Sequence, residues 1–232
     1  MRIVLTGCDG FIGRNVHSEL LKNKDIESVF CLEKDYMNHN KWESTLLKVV
    51  QECDVILHVG AISDTMLQDP NEMMKYNFEF SRVLFNIAEK YGVAKVSKFV
   101  GLRYFNVYGP GEQDKGNMSS IAFQAHRQGN FKLFRGNPKR DFVYIQDVVR
   151  ATIYPIFNDV NPGIYEVGSG EARTFEDVMN LMGIKYTYKD RNEIPKGYQF
   201  YTKANKNEFM DGWEPIYNLE KGIKEYKEYL ES

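Results

Sequence analysis

A chain of 232 residues that is 43% hydrophobic, with a formal net charge of -2 and a pI near 6.1, has the length of one generous domain, or one domain with an added lobe. Its charge balance offers neither the basic face that nucleic acid requires nor a polybasic patch for a membrane, so neither partner is expected, while small acidic or neutral ligands stay open. No apolar run approaches a membrane span, and Cys8, Cys31 and Cys53 are an odd number without metal-ligand spacing, so the expectation is reduced thiols in a cytoplasmic protein with no metal site.

In chain order, "MRIVLTGCDGFIG" reads as a short apolar strand running into a glycine turn, and "RNVHSELLKNK" continues with apolar residues at helical spacing. A second strand, "SVFCLE", is expected at residues 28–33, then a polar stretch, a helix around Trp42 to Glu52, and a third strand, "DVILHVGA". Two β-α-β steps imply a parallel sheet. A long helix is expected from Asn71 to Tyr91, with Met74, Phe78, Leu84, Phe85 and Ala88 available for an apolar side and Gly92 as its cap. It is followed by the strand "SKFVGLRYFN", expected to lie beside "DVILHVGA" through a right-handed crossover. Beyond Tyr108 the texture turns irregular, with "FKLFRG", "DFVYIQDVV" and "GIYEVGSG" as short extended pieces and a last helix near Leu219 to Leu230. The fold class is therefore α/β, a Rossmann-type parallel sheet with a small α/β lobe. Residues 1–109 and 142–168 are assigned to the sheet domain, and 110–141 and 169–232 to the lobe.

Gly7, Gly10 and Gly13 follow Thr6 at the strand-to-helix turn. Glycine there lets the backbone approach a pyrophosphate, which the amides and dipole of a helix start attract. Glu33, about 20 residues on at the end of the next strand, can accept hydrogen bonds from an adenosine ribose. Its carboxylate would repel the extra phosphate of NADP, whereas Lys34 would attract one, so NAD and NADP both stay open. Gly60 and Ala61, after the third strand, are small enough to lie beneath the cofactor, and His58 reads as a hydrogen-bonded strand residue rather than a base or metal ligand.

The blocks "LTGCDGFIG", "HVGAIS", "YNFEFS", "RYFNVYGPG", "KGNMSSIAF", "KLFRG" and "KRDFVYIQDVV" resemble the extended short-chain dehydrogenase/reductase family of nucleotide-sugar enzymes. Within it they sit nearest the ADP-heptose epimerases. The resemblance implies an NAD(P)-dependent change at a sugar carbon by transient hydride removal. By position it implies that Phe11, Ile12, Glu33, Gly60, Ala61 and Asn77 contact the cofactor. Asn106 and Val107 would line its junction with substrate. Lys115 matches a proposed acid/base, while Asn117, Gln124, Phe134, Arg135, Gly136, Asn137, Arg140 and Tyr198 match positions that hold the nucleotide sugar. Arg140 also has the right chemistry, since a guanidinium grips a diphosphate through paired hydrogen bonds, although an ion pair with Asp141 would occupy it equally. Lys115 as a solvated loop lysine and Tyr198 as a packed aromatic remain alternatives.

The departures from the family are as informative. Its members carry a further strand with a Ser or Thr, and a helix bearing Tyr-x-x-x-Lys, before the strand that becomes "RYFN". Here only a few residues separate Tyr91 from Phe99, and the family's extra sheet strand is also missing between Glu33 and Trp42. Tyr91 and Lys95 spell the motif, but a helix of about 20 residues travels about 30 Å from the sheet's carboxyl edge. That removes the pair from the nicotinamide and leaves Lys115 as the catalytic candidate. Two functions follow: an epimerase using Lys115, or a catalytically impaired binder of NAD(P) and a nucleotide sugar. Because family dimers often pair the two long helices, and one is absent, a monomer or a dimer on other surfaces is expected.

Overall fold

Ile3, Val4, Leu5 and Thr6 are all buried in β1 (Arg2–Thr6), which turns at Gly7 into α1 (Phe11–Leu20), itself buried through Phe11, Gly13, Val16 and Leu20. The chain continues through β2 (Ser28–Leu32), α2 (Trp42–Gln51) and β3 (Val55–His58). These strands form a parallel sheet in the order β2-β1-β3, with Ile3 opposite both Val29 and Val55. This computed structural model describes every residue except 40, 63–68, 92–98 and 191–192.

After β3, α3 (Pro70–Met73) passes through a π-helical turn, Met74–Glu79, into α4 (Phe80–Tyr91). Asp69 caps the start, accepting the Asn71 amide at 2.9 Å, with Pro70 in the first turn. The long helix expected from Asn71 is thus present, interrupted by one wider turn; its expected cap, Gly92, lies outside the described residues. Val4, Leu32, Leu46, Val50, Phe80 and Leu84 form the core beneath it, with Trp42 and Ile56 partly buried against them.

The described residues cluster into two compact units, Met1–Phe99 and Val100–Ser232. The second contains β4 (Val100–Tyr104), β5 (Asn106–Tyr108), α5 (Ile121–Gln128), β6 (Asn130–Leu133), β7 (Lys139–Tyr144) and α6 (Ile145–Phe157). It ends with β8 (Gly163–Val167), β9 (Ala172–Thr174), α7 (Phe175–Met182), β10 (Lys185–Tyr188) and α8 (Leu219–Glu231). β4 runs parallel to β8, β5 to β7 and β6 to β10, while β9 is antiparallel to β7. Trp213, Tyr108, Tyr226, Ile145, Met179, Met210 and Ile223 are fully buried in this unit. The expected pairing of the third strand with "FVGLRYFN" joins the two units and stays an expectation. Among the described residues, no helix is long and apolar enough to cross a membrane.

Three expectations are corrected. "DFVYIQDVV" is not one extended piece: the strand ends at Tyr144, and Ile145, Val148, Val149 and Thr152 are buried at helical spacing in α6. The region beyond Tyr108 also holds the helices α5 and α7. Finally, Cys8 and Cys31 are not reduced thiols but a disulfide, with Cα atoms 5.8 Å apart, while Cys53 is free and buried. Parallel pairing of β1 with β2 sets Cys31 opposite Leu5, next to the turn that carries Cys8, so residues distant in sequence become neighbours.

Candidate functional site

In the Met1–Phe99 unit Gly7 and Gly13 hold a turn that no side chain would permit at either position. Gly7 has φ +72°, and a Cβ there would lie 2.5 Å from the Gly60 Cα; a Cβ on Gly13 would lie 1.8 Å from the Gly7 carbonyl oxygen. The Gly10 amide donates to that same oxygen at 3.0 Å. Gly10 is the N-cap of α1, no side chain caps the helix, and its first turn holds no acidic residue. Close backbone approach and an uncontested helix dipole suit a dinucleotide's pyrophosphate.

Glu33 follows β2 directly, and its Oε1 accepts the Asp9 amide at 2.9 Å, fastening the second strand to the glycine turn. Burial raises the Glu33 pKa, and the Asp9 amide opposes that rise. Lys34 opens the 3-10 turn Lys34–Asn38. Opposite the turn, the Gly60 amide donates to the Thr6 hydroxyl at 3.0 Å, and Thr6 Oγ1 meets His58 Nδ1 at 2.7 Å. His58 Nε2 meets Ser81 Oγ at 2.6 Å. Asn77, in the π-helical turn, accepts the Ile62 amide at 2.7 Å through Oδ1 and donates to the Ile62 carbonyl at 2.9 Å through Nδ2. The structure thus brings Gly7, Gly10, Phe11, Ile12, Gly13, Glu33, Gly60, Ala61 and Asn77 into one neighbourhood of turn, strand end and helix. Wider turns of this kind recur at functional sites. Tyr91 closes α4, about 20 Å along the helix from Asn77, and Lys95 lies outside the described residues.

In the Val100–Ser232 unit, Asn106 is exposed and Val107 half-buried in β5, laddered to Phe142 and Val143. The loop that follows is held by Glu112, which is fully buried. Its carboxylate accepts the Gly109 amide at 3.2 Å, the Ser120 hydroxyl at 2.7 Å, the Tyr226 hydroxyl at 2.8 Å and the Ser120 amide. The turn Gln113–Met118 carries Lys115 and Asn117, and Gln124 Nε2 donates to the carbonyls of Asn117 and Ser119 at 3.1 and 2.7 Å. Burial lowers the Lys115 pKa, partly offset by the Glu112 charge. An amine so placed spends more of its time in the neutral, proton-accepting form than a solvated lysine does.

Arg140 is buried, 7% exposed, with Nη1 donating to the neighbouring Lys139 carbonyl at 2.9 Å. Its guanidinium lies 5.2 Å from the Tyr198 ring and 5.7 Å from that of Phe175. The neighbouring Asp141 does not pair with it, because its carboxylate accepts the amides of Ser169, Gly170 and Ala204 at 2.6, 2.9 and 3.0 Å and the Ser169 hydroxyl at 2.8 Å. Among the described residues no carboxylate lies within ion-pair distance of Arg140. Phe134 packs edge-on to Tyr198 at 5.1 Å, under the Lys189 ammonium at 4.6 Å, and Arg135 covers Tyr188 at 5.2 Å. Gly136 (φ +98°) and Asn137 (φ +52°) turn the chain between them and β7. Phe134, Arg140 and Tyr198 are therefore directly associated, with Arg135, Gly136 and Asn137 on the connecting turn. Sequence reasoning missed Glu112 and the role of Asp141, since their partners stand as far away as Tyr226 and Ala204.

The model of the NAD dependent epimerase/dehydratase family matches residues 3–98 and 87–168. The chain belongs to that family. Its members are NAD-dependent nucleotide-sugar epimerases and their relatives. The chain is 28% identical to the ADP-L-glycero-D-manno-heptose-6-epimerase of Brachyspira hyodysenteriae over 313 aligned residues, covering 99% of this chain and 98% of the relative. Those 313 positions exceed the 232 residues here, so the relative carries stretches that this family member lacks. The two matched segments overlap at residues 87–98. Among solved structures, the Thermotoga maritima UDP-glucose 4-epimerase with UDP-glucose is 22% identical with a TM-score of 0.82, covering 100% of this chain and 99% of that one. The Thermus thermophilus UDP-glucose 4-epimerase in complex with NAD is 21% identical, TM-score 0.78, with the same coverage. Both share the Rossmann-like epimerase fold.

Proposed function

We propose that this family member is an NAD(P)-dependent epimerase of a nucleoside-diphosphate sugar of the ADP-heptose kind. The observation that carries the reading is Arg140: a buried guanidinium, walled by two aromatic rings and unanswered by any described carboxylate, retains the charge that a diphosphate would neutralise. The glycine turn, Glu33, Gly60 and Asn77 hold the cofactor, with NAD favoured by Glu33 and Lys34 the group to test for NADP. Bound cofactor supplies the hydride-accepting ring. Lys115 Nζ, in its neutral form, would take the proton of the sugar hydroxyl during oxidation and return it afterwards. Phe134, Tyr198 and Arg135 hold the nucleotide end, and Asn117 and Gln124 keep the Lys115 loop in shape. Residues 1–109 with 142–168 form the cofactor part of this scheme, and 110–141 with 169–232 the sugar part. A cytoplasmic location completes it, in which Cys8–Cys31 would be a reversible bond.

A second reading, a catalytically impaired binder of cofactor and nucleotide sugar, is favoured by the absent Tyr-x-x-x-Lys helix; losing such acid/base help costs about 10²- to 10⁴-fold in rate. Incubating the protein with NAD and ADP-, UDP- and GDP-sugars, and following epimers by NMR, separates the two. Arg140→Leu should weaken nucleotide-sugar binding at least ten-fold and leave NAD affinity unchanged. Unchanged sugar binding in that variant overturns the assignment of Arg140.

A further inference from the structure

One proton arrangement satisfies every hydrogen-bonding contact around His58 at once. Ser81 Oγ donates to the Asn77 carbonyl at 2.8 Å, so toward the imidazole it has only lone pairs to offer, and His58 Nε2 must carry the hydrogen that bridges them. Thr6 Oγ1 accepts the Gly60 amide and has one proton of its own, which it gives to His58 Nδ1. The chain therefore runs without a break from Gly60 through Thr6, His58 and Ser81 to Asn77. At one end Gly60 lies against Gly7, in contact so close that a Cβ on Gly7 would sit 2.5 Å from the Gly60 Cα. At the other, the Asn77 side chain holds both polar groups of the Ile62 backbone.

We propose that His58 is a positioning residue of the dinucleotide site, its neutral imidazole holding the glycine turn and the Asn77 turn in register from between them. The inference rests on the dinucleotide reading of this site. It follows from what the ring must do at each nitrogen: accept from Thr6 and donate to Ser81. Protonation at Nδ1 turns the acceptor into a second donor facing the hydroxyl of Thr6, a residue only 1% exposed, whose own hydrogen must then find another acceptor. The strand end at Gly60 and the glycine turn against it then lose their common anchor. The groups facing the ring are Thr6 from β1, Ser81 and the edge-on Phe80 ring, 5.7 Å away, from α4, and Gly60 beyond its own strand. None of these is charged. Burial lowers the His58 pKa, although the residue as a whole is exposed at the end of its strand. The imidazole thus stays neutral down to below its ordinary value of about 6.5, and cofactor affinity should fall as pH drops through that range.

The test is NAD affinity by titration calorimetry between pH 5 and 8 for the full chain and two variants. His58→Phe removes both hydrogen bonds and should weaken NAD at least ten-fold at pH 8. His58→Asn keeps an acceptor in place of Nδ1 for Thr6, cannot titrate, and should show weaker binding whose remaining pH dependence no longer includes the imidazole step between pH 7 and 5. A role in general stability alone would lower the melting temperature of His58→Asn and leave the wild-type pH profile of NAD binding intact. That profile, or unchanged affinity in His58→Asn, overturns the inference while the dinucleotide reading stands. Failure of the wild-type protein to bind NAD at pH 8 overturns the dinucleotide reading, and this inference with it.

Discussion

Arg140 and Asp141 are adjacent, buried and oppositely charged, yet they serve different partners: strand alternation turns the carboxylate toward the amides of Ser169, Gly170 and Ala204, and the guanidinium toward Tyr198 and Phe175. A charge satisfied by backbone is structural, whereas one stacked on aromatic rings still has donors to give. The same contrast separates Lys115 from Tyr91. Lys115 is held by the Glu112 loop with its pKa lowered by burial, and Tyr91 ends α4 under the Lys90 ammonium, 5.2 Å from the ring centroid. Lys115→Ala should lower turnover by about 10²-fold or more with NAD affinity within a few-fold, and Tyr91→Phe should leave both nearly unchanged; steady-state kinetics with the identified sugar decides it. Cys53 gives a simpler check. Burial pushes its thiol pKa up to about 11, so the neutral thiol dominates near pH 8. Iodoacetamide at that pH should leave native Cys53 unlabelled and modify it once the protein is unfolded, as read by mass spectrometry.

At the scale of elements, the bond between Cys8 and Cys31 closes a ring around α1, with the two residues 23 positions apart. Closing a loop of that length removes about 3 kcal/mol of unfolded-state entropy. A dithiol reductant, or Cys31→Ser, should therefore lower the thermal midpoint by several degrees, as followed by circular dichroism. An unchanged midpoint would show that the bond does not constrain the unfolded chain. This cross-link was not legible in the sequence, because only parallel pairing of β1 and β2 makes neighbours of its ends. By contrast β1, its glycine turn and α1 were legible, since hydrophobic period and turn chemistry agree there within 20 residues. Beyond Tyr108 the signals were present but short. Ser120 caps α5, Thr174 and Asp177 form a capping box on α7, and Gly129 and Gly183 end those helices in the left-handed region. Each helix spans only 8 residues, too few for its apolar period to stand out. "FVYIQDVV" misled for the opposite reason, since an apolar run broken only by Gln146 and Asp147 fits a buried strand and a buried helix alike. In the candidate site, glycines and charged residues could be picked out singly, but the Glu112 and His58 networks arise only from contacts between distant segments.

For the molecule as a whole, the helical run that ends the first unit's described helices bears on assembly. Met74, Phe78 and Phe85 are exposed along one side of the helical run, and Phe99 packs edge-on to Phe85 at 6.1 Å. We expect a monomer of 27.0 kDa, or a dimer built on other surfaces, by light scattering at micromolar concentration. A dimer that Phe78→Lys and Phe85→Lys dissociate would show instead that this helix still pairs. The disulfide also changes how the chain would carry a mechanical load. Tension applied between the termini enters along β1 and crosses the bond from Cys8 to Cys31, so α1 and half of the glycine turn bear no force. In single-molecule pulling, the fully stretched oxidised chain should be shorter than the reduced one by about 80 Å, the extended length of the bypassed residues. The segment from Asp9 to Phe30, which holds α1 and the second half of the turn proposed to grip the cofactor, would then stay undrawn until the bond is reduced.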